Sequence, residues 1–152
     1  MIGELTGRQV EQVLETQAIG RIGCHADGLT YIVPVTYVYR DNFVYGHSDD
    51  GLKIRLVRAN PKVCFEVEHI ENMCNWQTVI AWGTYEELSG QEAEHALARL
   101  RELLPVLRSE SAGLAGNPSG YIDYRIHTAG KHGHFYRIKL TEKTGRFESE
   151  GV

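Results

Sequence analysis

Cysteine is scarce in this chain of 152 residues, with Cys24, Cys64 and Cys74 the only three. An odd number with no C-x-x-C spacing argues against a disulfide scaffold and for reduced thiols. Cys24 and Cys64 fall in β-rich runs and read as small core residues. Cys74 sits in a polar stretch with no basic neighbour to activate it. There is no excess of positive charge either: the net charge is −4, so nothing supports an electrostatic grip on nucleic acid or an anionic membrane. No apolar run approaches the ~18 residues of a membrane-spanning helix. The opening "MIGELTGRQVEQ" lacks the basic start and apolar run of a secretory signal. A cytoplasmic chain is expected, with residues 1–152 forming a single domain.

What is present is regular punctuation. Thr6 followed by Gln9 has capping-box spacing, and Val10, Val13 and Leu14 share a helical face. A helix over 7–16 follows. "RIGCH", "LTYIVPVTYVY", "FVYGH", "KVCFEVEH", "WQTVIAWGTYEEL" and "GHFYRIKL" read as strands, with "ADG", "RDN" and "IENMCN" as turns or loops. Pro34 inside the second run marks an edge strand or an interruption. Gly83 marks a bulge or a close approach. Ser89 with Glu92 reads as a second capping box. It precedes a helix with Leu97, Leu100, Leu104 and Leu107 on one stripe and a kink near Pro105. "SESAGLAGNPSG" reads as a loop. The fold class is mainly β with flanking helices: five or six antiparallel strands in a small barrel.

Chemistry concentrates in "GHSDDGLKIRLVRANP". A helix predicted over 51–59 starts just after Ser48 and carries Lys53 in its first turn, with Asn60-Pro61 stopping it. A helix start offers unpaired N–H groups and the positive end of a dipole, so a hydroxyl and an ammonium beside it can cradle a phosphate. Arg55 and Arg58 could add charge. The same spacing also suits a plainer arrangement, with Asp49 or Asp50 capping the helix and Lys53 solvated. His47 is the acid–base candidate beside this loop. Asn75, Trp76 and Gln77 could frame an aromatic ligand, or Trp76 could anchor a core or interface. His132 and His134 would share one strand face, but no third ligand lies near them, so no metal site is expected.

In order, "YIVPVTYVY", "FVYGHS", "GLK", "RANPKVCFEVE", "NWQTVIAWGTYEEL" and "FYRIKLTEKTGRFES" resemble the pyridoxamine 5'-phosphate oxidase-like, FMN-binding split-barrel proteins. The nearest resemblance is to the flavin-nucleotide-binding branch that includes nitroimidazole reductases. It implies a six-stranded antiparallel split β-barrel that forms a homodimer with FMN between the subunits. It implies that Lys53 and Ser48 hold the phosphate. Val33, Pro34, Val35 and Thr36 would lie along the flavin ring, and Asn75, Trp76 and Gln77 would approach it from the next strand. Arg146 matches the closing basic position. The implied activity is electron transfer from NAD(P)H to a small-molecule substrate, aromatic or nitro-substituted, with His47 as proton donor. The clustered basic residues that hold the substrate phosphate in a true pyridoxamine phosphate oxidase are missing. A non-catalytic flavin-binding module and a haem protein on the same barrel are the alternatives. The segment 109–134 follows no family pattern and would shape a substrate pocket or cover the partner's flavin.

Overall fold

The computed structural model describes residues 1–102 and 133–150. The expectations placed on Leu104, Pro105, Leu107, His132 and most of the segment 109–134 lie outside them. The elements are β1 (Ile2–Glu4), α1 (Gly7–Thr16), β2 (Ile19–Ala26), β3 (Leu29–Thr36), β4 (Val38–Arg40), β5 (Phe43–Asp49), α2 (Leu52–Ala59), β6 (Lys62–Asn72), β7 (Asn75–Leu88), α3 (Gly90–Arg101) and β8 (Gly133–Glu148). All strands pair antiparallel in the order β3-β2-β6-β7-β8-β5-β4, and β1 also joins β8. The architecture is mainly β with three helices among the described residues, as expected, but with eight strands in place of six.

The two extra strands have local causes. The expected run 29–39 divides at Tyr37: up to Thr36 it pairs with β2 and from Val38 with β5, and Tyr37 N donates to Ala18 O at 3.0 Å as the last rung on β2. Its phenol donates to Leu14 O at 2.8 Å and ties the break to α1. Pro34 itself does not break the strand. It sits in β3, which has β2 on one side only, where a missing N–H is tolerated. β1 forms because β8 is longer than expected. One edge of β8 pairs with β7 throughout, while the other is shared in tandem by β5, up to Lys139, and β1, from Arg146.

Two hairpins follow from their turns. Asp27 and Gly28 (φ 53° and 77°) and Asp41 and Asn42 (φ 49° and 68°) take left-handed conformations in two-residue loops. The expected loop "IENMCN" is mostly strand. β6 runs to Asn72, whose Oδ1 accepts from Cys74 N (2.9 Å) and Asn75 Nδ2 (3.0 Å) across the turn. Gly83 is a close approach: the register with β8 shifts at Trp82/Gly83, and a Cβ there would lie 2.2 Å from Lys139 O. The Thr6–Gln9 capping box forms. The Ser89–Glu92 box does not, because Gly90 (φ 59°) departs from helical geometry directly after Ser89. On α3, Ala96 and Leu100 are the buried residues. The core lies between the inner sheet face and α1 and α2, with Leu14, Ile22, Phe65, Val67, Val79, Tyr136 and Ile138 fully buried.

Candidate functional site

β5 delivers Ser48 to the edge of the core, and the chain then turns through Asp49, Asp50 and Gly51 into α2. Gly51 is the N-cap residue of α2 and has no side chain with which to cap the first turn. Asp50 meets His134, whose Nε2 lies 2.5 Å from Asp50 Oδ1. The other ring nitrogen of His134 is 3.9 Å from Glu87, and Arg58 Nε donates to Glu87 at 2.6 Å. Arg58 is thus directed to β7 and adds no charge at the helix start. The Arg58 hydrogen bond also holds the Glu87 carboxyl below its usual range, against a smaller opposing effect of burial. Ser48 Oγ donates to Asp49 O at 3.0 Å.

Lys53 lies in the first turn of α2, half-buried, with its ammonium 5.5 Å from the centroid of the Tyr136 ring. Tyr136 is fully buried and stacks on Tyr85 at 4.9 Å. Among the described residues neither hydroxyl has a hydrogen-bond partner, and burial raises both phenol pKa values. The thiols add no nucleophile at this position. Burial pushes Cys24 up, although the nearby Lys53 charge opposes it, and burial and Glu66 push Cys64 up. An ammonium, a hydroxyl and a helix start with glycine at its N-cap lie together here, groups of the kind that can hold a phosphate.

The remaining predicted residues stand elsewhere. His47 is adjacent to Ser48, but strand alternation turns it to the opposite face of β5. Its ring meets Phe135 edge-on at 4.7 Å, while Tyr45, on the same face, meets His95 of α3 at 6.2 Å. Val33, Pro34, Val35 and Thr36 form the end of edge strand β3. Val35 is buried, Val33 half-buried, and Pro34 and Thr36 exposed. Asn75, Trp76 and Gln77 begin β7 and line a pocket of about 210 Å³ with His69, Phe147 and Glu148. Trp76 Nε1 donates to Glu148 Oε2 at 2.9 Å. Arg146 is exposed and opens to a separate cavity of about 750 Å³ between α1 and β8.

Ser48 pairs with His134, and Gln77 pairs with Phe147, thirteen residues further along β8. At ~3.3 Å per residue the two positions are separated by up to about 43 Å along the strand. The sequence alone missed Tyr136 and His134 as neighbours of the cradle, and its available signal was the short "GHFY" run. Among the described residues no group of histidine, cysteine and carboxylate side chains could hold a metal, and no helix is long and apolar enough to cross a membrane.

The profile of a family described as pyridoxamine 5'-phosphate oxidase matches residues 6–147. An uncharacterized protein of Rhizobium meliloti is 28% identical over 149 residues, covering 97% of this chain and 95% of that one. The crystal structure of an FAD-binding protein from Mesorhizobium loti superposes with a TM-score of 0.73 at 27% identity, covering 98% of this chain and 99% of that one. A candidate 5-nitroimidazole antibiotic resistance protein from Bacteroides thetaiotaomicron shares the fold, with a TM-score of 0.70, 16% identity, and coverage of 97% and 87%.

Proposed function

Because the chain belongs to the pyridoxamine 5'-phosphate oxidase family, we propose that it is a flavin-dependent oxidoreductase that holds FMN by its phosphate at the start of α2. The observation that carries this is the glycine N-cap of α2, with no acidic residue in the first turn, beside Ser48 and Lys53. A bound flavin would supply reversible uptake of a hydride, in this case from NAD(P)H, for delivery to a small, nitro-substituted or other aromatic acceptor. Lys53 supplies the fixed positive charge, and the α2 N–H groups and Ser48 the hydrogen bonds, while Asp50 meets His134. His47 faces α3, so it has no contact with the phosphate in this reading, and His47→Gln leaves FMN affinity unchanged.

The working unit in this proposal is a homodimer. Asn75, Trp76 and Gln77 stand far along β8 from Ser48, and in this reading a second copy brings them to the ligand at Lys53. The outer sheet face supports this. Ile32, Gly23, Cys64 and Trp82 lie in one cross-strand row over β3, β2, β6 and β7. Ile32 is 66% exposed and Trp82 41%, and in the next row Ile80 and Pro34 flank the Arg21–Glu66 ion pair. Exposed apolar side chains around an ion pair make a natural subunit contact. Trp82→Glu is expected to give monomers by sedimentation and to abolish flavin retention. A dimer that keeps its flavin would remove this part of the proposal.

The direct test is a visible spectrum of the purified protein, before and after anaerobic NADH or NADPH. A flavin spectrum that bleaches is the expected result. A flavin spectrum that stays oxidised with both reductants points to a binding module, and a Soret band to haem. Titrations with FMN, FAD and riboflavin identify the cofactor, since the Mesorhizobium loti relative is named for FAD.

A further inference from the structure

We infer that Tyr136 is a positioning residue for flavin phosphate: its ring face holds the Lys53 ammonium in place above the core, and its buried hydroxyl takes no part. This rests on the phosphate reading of the α2 start. Three observations on different elements combine. Lys53 Nζ sits 5.5 Å from the Tyr136 centroid, within the range of a cation–π contact. Gly46 pairs with Tyr136 across β5 and β8, and a Cβ at Gly46 would fall 2.3 Å from the Tyr136 hydroxyl oxygen and its ring carbon. The ring therefore lies against bare backbone, a position that any other residue at 46 would deny it. Tyr85 stacks on the same ring at 4.9 Å and 24°, which fixes its plane.

The hydroxyl is an orphan in this arrangement. It is completely buried, has no partner among the described residues, and burial keeps it protonated by raising its pKa. Such a group costs stability. A hydroxyl with a structural task would bond to something, so the useful part of this residue is its aromatic face. A lysine on a flexible four-carbon stem loses much side-chain freedom when it grips an anion. A ring that already restrains the ammonium reduces that loss at the moment of binding.

The test uses the full-length chain and reads the ratio of FMN to riboflavin affinity by flavin fluorescence quenching, since the two ligands differ only in the phosphate. Tyr136→Phe keeps the wild-type ratio. Tyr136→Leu loses roughly tenfold of the FMN preference, approaching Lys53→Ala, with riboflavin affinity retained. An undiminished FMN preference in Tyr136→Leu overturns the inference while leaving the phosphate reading intact. A wild-type protein with no FMN preference overturns the phosphate reading itself. A second measurement needs no altered core. In ligand-free protein with ¹³C-labelled lysine, the Lys53 ε-methylene protons, assigned through Lys53→Arg, lie upfield of the other lysines through the ring current. A Lys53 signal at the position of exposed lysines contradicts the contact.

Discussion

The first turns of α1 and α2 present the same physical problem and meet it in opposite ways. Each leaves backbone N–H groups without helical partners. At α1 the chain closes the end itself: Thr6 Oγ1 accepts from Gln9 N at 3.3 Å, and Gln9 Oε1 accepts from Thr6 N at 2.9 Å. At α2 the corresponding position is Gly51, which has no side chain to cap with, no acidic residue sits in the first turn, and a lysine stands there instead. The sequence places two aspartates immediately before this turn, and Asp50 meets His134. One helix start is closed by its own cap residue, and the other has a glycine there, the position that the proposed function gives to an anion. α3 shows that a missing cap alone is not enough, since it also lacks a side-chain cap but carries Glu92 in its first turn.

The contrast can be broken at four points. Lys53→Ala has the largest effect. Losing a charge-assisted hydrogen bond of ~1.5–3 kcal/mol lowers FMN affinity about 10- to 150-fold, with the apoprotein melting normally. Gly51→Asp closes the α2 start in the manner of α1. A Cβ at 51 meets nothing within 4 Å, so the side chain fits. FMN affinity falls about fivefold as the carboxylate competes for the same dipole, while apoprotein stability rises by a few tenths of a kcal/mol, roughly. Thr6→Ala opens α1. It costs about 1 kcal/mol, or about 4 °C in Tm, and leaves FMN affinity unchanged. Calorimetry with parallel flavin titrations reads all three, and a Thr6→Ala variant that lost FMN would show that the two ends are not independent.

The smallest effect concerns the brace behind α2. The Arg58 hydrogen bond lowers the Glu87 pKa in the folded state. A lowered carboxyl stabilises the fold above its unfolded value, and that stability is lost as pH falls through the folded value. Wild type and Glu87→Gln should therefore differ most near neutral pH and converge below about pH 4. The pair is solvent-screened, so the gap is small. Denaturant midpoints across pH measure it, and a gap that widened in acid would mean that the fold raises the Glu87 pKa instead of lowering it.

How much of this the sequence discloses depends on range. Local features are plain: the α1 cap, the Asp27–Gly28 and Asp41–Asn42 turns, the close approach at Gly83, and Lys53 beside a helix start. Features that depend on distant residues are hidden. The second half of β8, "TEKTGRFE", looks polar because one face is exposed, and it is strand because β7 and β1 hold both its edges. The Asp50–His134 contact spans 84 residues, and the Lys53–Tyr136 contact is similarly remote in sequence. The separation of Asn75, Trp76 and Gln77 from Ser48 follows from the full length of β8, which its polar second half conceals. The Ser89 box has the same letters as a working cap and fails through one backbone angle at Gly90.

In the proposed function, flavin phosphate binding depends most on the start of α2, with Lys53 and Ser48 beside it. Titrating wild-type apoprotein and Lys53→Ala with FMN and with riboflavin tests it most directly. The prediction is that wild type binds FMN at least about tenfold more tightly than riboflavin, and that Lys53→Ala removes most of that preference while riboflavin affinity stays the same. Equal binding of the two flavins by wild type, or an unchanged preference without Lys53, would contradict it.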